Sequence, residues 1–304
     1  MSVLCASSLG DALVRVFGPG ASVRSRASVS GGDINRAARL TVDDGTGRTF
    51  SVFVKENAAS LLPMFEAEAA GLSALRATGA IGMPEVLACG TEGNISFLLL
   101  EWIESGAPAH GFWEDFGQRL AQMHTADTGS LFDGAPRFGF PGDNFIGSTP
   151  QKNDPRDTWI AFFRECRLAP QFRLAFDAGL LDPSARKEAD RLLDRLDRLL
   201  VEPDAPSLLH GDLWGGNYMV GPDGRAMLID PAAYVGHREA DLAMTELFGG
   251  FAPAFYDAYA SIAPLQPGYR DRRDLYNLYH LLNHLNLFGP SYAPSVLRTL
   301  RQNS

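Results

Sequence analysis

Hydrophobic and polar positions alternate along much of the first hundred residues and recur at helical spacing through most of the rest, so the chain changes character about a third of the way along. Residues 23–29 and 37–42 read as strands on either side of the turn Ser30-Gly31-Gly32-Asp33-Ile34-Asn35. A second turn, Asp43-Asp44-Gly45-Thr46-Gly47, leads into the run 48–55, which alternates as a half-buried strand does and ends on Lys55. Three antiparallel strands are predicted. Residues 61–78 carry apolar side chains one helical turn apart and include Glu66 and Glu68, which predicts one helix. Two more strands, 85–89 and 95–100, are joined by the turn Thr91-Glu92-Gly93-Asn94. The segment 101–111 has Gly and Pro without periodicity and reads as a connector, with a boundary near residue 103.

Past the connector, helices are predicted over 112–125, 159–169, 184–200, 239–248 and 273–288, and 138–154 is rich in turn residues. The fold class is α+β and bilobal: residues 1–102 form a small antiparallel-sheet lobe with one helix, and 103–304 a larger, mostly helical lobe.

Composition narrows the partners. With 45% apolar residues the 304-residue chain is an ordinary globular protein, and no apolar stretch is long enough to span a bilayer. The first ten residues have no basic segment ahead of their apolar ones, so no secretory leader is read and a cytoplasmic location is expected. Cys5, Cys89 and Cys166 are odd in number and lack zinc-like spacing. A net charge of −9 disfavours nucleic-acid or anionic-membrane binding and suits a small neutral or cationic substrate, or a modified protein.

The chemistry concentrates in Leu208-Leu209-His210-Gly211-Asp212-Leu213-Trp214-Gly215-Gly216-Asn217. An Asp that receives an acceptor's hydroxyl proton, followed after four residues by an Asn that ligates magnesium, is the spacing of a kinase catalytic loop. Asp212 and Asn217 have it. Tyr218-Met219-Val220, the turn Gly221-Pro222-Asp223-Gly224 and the run Ala226-Met227-Leu228-Ile229 then read as a hairpin that returns Asp230 as a second oxygen ligand. The remaining parts of a phosphoryl-transfer site have candidates. Gly31 and Gly32 could let the main chain cover phosphates, although two glycines in a hairpin are more often only a turn. Lys55, oriented by Glu68 in preference to Glu66, would reach the α- and β-phosphates. The main chain between Glu101 and Ile103, leaving a buried strand, is placed to bind adenine, although a core strand entering a loop accounts for it equally well. His210 is assigned to the acceptor side of the site and to bracing the loop. Trp214 could face a sugar or simply pack inward. ATP and Mg²⁺ are the cofactors expected.

These residues resemble the fructosamine kinase family, within the aminoglycoside- and choline-kinase-like enzymes. His210-Gly211-Asp212-Leu213-Trp214-x-Gly216-Asn217 is similar to its catalytic loop, and Ile229-Asp230-Pro231-Ala232 to its second metal motif. Met64-Phe65-Glu66-Ala67-Glu68 looks like its ion-pair helix. Asp143-Asn144-Phe145-Ile146-Gly147, Pro150-Gln151 and Trp159-x-x-Phe162-Phe163-x-Glu165-x-Arg167-Leu168 look like its large-lobe signature. The resemblance implies a protein-kinase-like fold and phosphorylation of the sugar 3-hydroxyl of ketosamines on protein lysines or free amines, which destabilises the adduct and releases the amine. It also implies a preference, common in bacterial members, for ribulosamines and erythrulosamines over fructosamines. The cysteine that some members carry near the phosphate loop is missing, so a redox switch there is not expected and the oligomeric state stays open. Competing readings are a kinase of another small hydroxyl compound (an aminoglycoside, a choline-like amine or a thiosugar), an inactive nucleotide-binding scaffold, and a metallohydrolase using His210, Asp212, Asp230 and His237.

Overall fold

The structure is a computed structural model that describes residues 5–29, 35–132 and 137–303. Gly31 and Gly32 lie outside the described residues. The chain groups into two compact units, residues 1–112 with 219–231, and 113–218 with 232–304.

The first unit is built on a six-stranded sheet. β1 (Cys5–Ala6) is followed by helix α1 (Leu9–Phe17), then β2 (Ser22–Val29), β3 (Arg36–Asp43), β4 (Thr49–Ala58), helix α2 (Leu62–Ala77), β5 (Val86–Glu92) and β6 (Ile95–Glu101), in sheet order β1-β5-β6-β4-β3-β2. Only the β1–β5 pairing is parallel. The sequence pattern did not predict β1 or α1. Two residues are too short to show a period, and α1 is marked mainly by Ser8, whose side chain accepts from the Asp11 N–H as an N-cap. The core forms where α1 meets the sheet, around Leu13, Leu40, Val42, Val52, Val54, Phe97 and Leu99. β2 is an exposed edge, and its Arg24 and Arg26 pair with Asp43 and Glu56, placing charge where bare strand hydrogen bonds would invite another chain.

The second unit begins in α3 (Phe112–His124) and continues through the short hairpin β7 (Asn144–Ile146) and β8 (Thr149–Gln151), which replaces the expected irregular stretch. The helix expected to stop at residue 169, before Pro170, instead runs on. α4 (Trp159–Phe162) widens into a π-turn, Phe163–Leu168, and resumes as α5 (Ala169–Asp177), so Pro170 falls in a first turn, where its missing N–H costs no hydrogen bond. α6 (Pro183–Leu199) and β9 (Ser207–Leu209) follow. Next comes the hairpin β10 (Tyr218–Val220) and β11 (Ala226–Leu228), whose residues 219–231 group with the first unit: the Leu228 N–H donates to Gly82 O at 2.8 Å. β12 (Tyr234–Gly236) returns to pair with β9, and α7 (Glu239–Leu247), α8 (Pro253–Ile262), α9 (Tyr269–Phe288) and α10 (Ala293–Asn303) complete the chain. α9 is buried on several faces because α5, α7 and α10 all pack on it. Among the described residues no helix is long and apolar enough to cross a membrane.

Candidate active site

In the first unit β4 carries Lys55 into the interior, 6% exposed, between its register partners Ala37 and Leu98. Its Nζ donates to Glu68 Oε1 on α2 at 2.7 Å and to Asp230 Oδ1 at 2.5 Å, across 175 positions of sequence. Burial opposes the ammonium charge, but the two carboxylates outweigh it and hold Lys55 above its ordinary range. Glu68 is the partner the sequence favoured over Glu66. Asp230 is the only described non-glycine residue with a positive φ, 54°, and it immediately precedes Pro231. Such a conformation is uncommon outside glycine and is found at functional sites. At the end of β6 the ladder closes on the pair Glu101 and Val52, and the Glu101 N–H is taken by Glu85 O at 2.9 Å. Ile103, just beyond, is buried.

In the second unit the loop after β9 carries His210, Asp212, Trp214 and Asn217. The Asn217 amide donates to the main-chain oxygen of Asp212 at 2.8 Å and to its Oδ2 at 3.0 Å, so the predicted pair is in contact. With its nitrogen committed, Asn217 keeps its carbonyl oxygen as the end able to ligate a cation. His210 is fully buried, and its Nδ1 accepts from the Asp212 N–H at 3.3 Å, a bracing geometry. Gly211 has φ of 81°, and a Cβ there would lie 2.1 Å from Ala232 O, so only glycine fits. Trp214, 40% exposed, folds its indole over Gly216, where a Cβ would lie 2.3 Å from the ring.

Sequence reasoning missed what holds this loop. Asp241 on α7, buried, accepts from the His210 N–H at 2.7 Å and the Gly211 N–H at 2.8 Å, and bonds His124 Nε2 at 3.1 Å. Burial works against its charge, but His124, His210 and the Gly211 N–H pull its carboxyl below the ordinary range. The large-lobe signature has a physical role too. Asn144 and Gln151 donate to Ala233 O at 2.7 Å and Ala232 O at 3.1 Å, and the Ala232 N–H donates to His210 O at 2.9 Å. Arg167, brought in by the π-turn and fully buried, donates to Asn153 Oδ1 at 2.8 Å and stacks 3.9 Å over Tyr234. Asn153 in turn donates to Asn144 at 2.9 Å. These side chains could not have been assigned from spacing alone, because each acts on main chain some eighty residues away.

The metallohydrolase reading fails on His237. Its Nδ1 accepts from the Glu239 N–H and its Nε2 bonds Gln266, and among the described residues no three His, Cys, Asp or Glu side chains gather as a metal site.

Comparison with known proteins agrees with this geometry. The fructosamine kinase family model matches residues 6–303. A probable ketoamine kinase of Synechocystis is 43% identical over 283 residues, 92% of this chain and 90% of that protein. The chloroplastic protein-ribulosamine 3-kinase of Arabidopsis thaliana is 40% identical over 277 residues, 89% of this chain and 79% of that protein. The crystal structure of a putative fructosamine-3-kinase from Haemophilus somnus superposes with a TM-score of 0.85 at 30% identity, covering 97% of this chain and 96% of its own. A kinase-like fold that carries its charged triad and its Asp–Asn loop on the family's own motifs, matched nearly end to end, makes this chain a member of the fructosamine kinase family, a kinase whose acceptor is a hydroxyl group.

Proposed function

We propose that the protein transfers the γ-phosphoryl group of ATP to the sugar 3-hydroxyl of a ketosamine, a ribulosamine, erythrulosamine or fructosamine adduct of an amine or protein lysine. The observation that carries this reading is Lys55 held between Glu68 and Asp230, the arrangement that grips a nucleotide's phosphates in kinases. The substrate class is supported by the ketoamine and ribulosamine kinases it resembles.

Asp212 is the residue that orients the acceptor hydroxyl and receives its proton as the sugar oxygen bonds to phosphorus and the bond to ADP breaks. Asn217 and Asp230 are the residues that would hold Mg²⁺, and their donors are all oxygens, as a hard cation prefers. When bound, the cation neutralises charge developing on the phosphate oxygens. Lys55 binds the α- and β-phosphates, the main chain of Glu101 and Ile103 meets adenine, and Gly31 and Gly32 cover the phosphates. Trp214 offers its indole face to the acceptor, and His210 keeps Asp212 in place from the acceptor side.

ATP consumption with magnesium, measured on the three ketosamines of lysine beside an aminoglycoside, choline and a no-acceptor control, tests the reading. Turnover confined to ketosamines, strongest on ribulosamine or erythrulosamine, is expected. Turnover of the aminoglycoside or choline alone would transfer the roles to another substrate, and silence on every acceptor would leave only a scaffold.

A further inference from the structure

The phosphoryl-transfer roles leave a row of aromatic rings on the second unit unused. Trp214 meets Phe248 edge-on at 6.3 Å, Phe248 meets His284 at 5.1 Å, and His284 meets Phe288 at 5.4 Å and Tyr292 at 5.1 Å. Phe248 is 45% exposed and Phe288 54%, so rings that a core would cover face water. Two helices end here, α7 capped by Phe248 and α9 running to Phe288, and helix C-termini carry partial negative charge that favours cations. His284 Nδ1 lies 2.8 Å from His280 O and must be the protonated nitrogen, which leaves Nε2 with its lone pair.

We propose that this shelf receives the amine-bearing part of the ketosamine, a lysyl side chain and the polypeptide attached to it, so that the enzyme prefers ketosugars carried on peptides to those on small amines. This rests on the ketosamine reading above. The nitrogen of a ketosamine is four bonds from its 3-hydroxyl oxygen and is a protonated secondary amine at neutral pH. Trp214 is two residues from Asp212. With the hydroxyl at Asp212, the ammonium comes within reach of the indole face, where cation–π attraction and the C-terminus of α7 both favour it. What the amine carries then lies along Phe248, His284 and Phe288, a row longer than a small amine can cover.

The test is kcat/KM for ribulosamine carried on methylamine, on N-acetyl-lysine amide and on a lysyl pentapeptide, with the wild-type enzyme and with F248A, F288A and F248K. A rise of about tenfold from methylamine to the pentapeptide is expected from the added apolar contact. F248A and F288A should each cut that ratio about threefold, the scale of one exposed cation–π contact. F248K, which adds a like charge, should cut it further. Thermal unfolding of each variant separates loss of fold from loss of contact. A ratio that is flat in the wild type, or unchanged in all three variants, overturns the shelf while leaving the substrate class standing. Silence on all carriers would remove the substrate class, and the shelf with it.

Discussion

In the first unit Lys55, Glu68 and Asp230 hold one another through ion pairs of 2.7 and 2.5 Å, whereas in the second Asp212 and Asn217 sit on a loop gripped from behind by Asp241 and by main-chain hydrogen bonds. The functional groups of the first unit are therefore their own scaffold, and losing one leaves a buried charge without a partner. In the second, chemistry and support are divided between different residues. Function and stability should separate under mutation in the second unit and fall together in the first.

Replacing Asp212 by Ala is the sharpest way to test that division. Turnover should fall roughly 10²- to 10⁴-fold, the usual worth of a positioned acid–base group. Because Asp241 and Ala232 still hold the loop through main-chain groups, the unfolding temperature and ATP affinity should stay near wild type. A collapse of stability in D212A would place the scaffold on Asp212 itself.

Lys55→Met should show the opposite coupling. Removing a cation aimed at phosphate oxygens costs about 10²-fold in turnover, and removing one partner of a buried pair costs about 3 kcal/mol of stability. The pH dependence gives the signature. Burial and the neighbouring Asp230 already push Glu68 upward, against the pull of Lys55. Without Lys55 the folded-state value rises further above the unfolded one, so stability is present at low pH and lost as pH rises through it. K55M should unfold at a higher temperature near pH 5 than near pH 8. The reverse order would mean that Glu68 does not depend on Lys55 for its charge.

The same contrast decides how much could be read in the sequence. Asp212 and Asn217, five positions apart, and the alternation that ends on Lys55 are local patterns, and each carried its chemistry with it. Glu68 was legible because a helix directly follows the lysine strand. Asp241 was not, since an Asp in an apolar helix has no local mark of the two N–H groups it serves about thirty residues away. The continuation of α4 through Pro170 was equally hidden, because the π-turn that accommodates the proline arises from how Arg167 is buried against Tyr234.

Acid should separate the two units by the smallest of these effects. Histidines 124, 210, 237, 280 and 284 all belong to the second unit, and the first has only the exposed His110. Burial pushes His237 and His280 down to about 3, each from an ordinary 6.5. A histidine depressed in the folded state binds its proton only after unfolding, so the stability it contributes is complete above pH 6.5 and is lost as pH falls toward 3. The slope approaches about 1.4 kcal/mol per pH unit for each such histidine. Lys55 stays charged across that window and contributes no slope. Amide hydrogen exchange between pH 7 and pH 5, corrected for the intrinsic rate, should show protection falling in α7 and α9 while β4 and β6 change little. His237→Asn should flatten the fall in the second unit. An equal loss in both sets of elements would mean that the units unfold as one, and the distinction drawn from their chemistry would not extend to their stability.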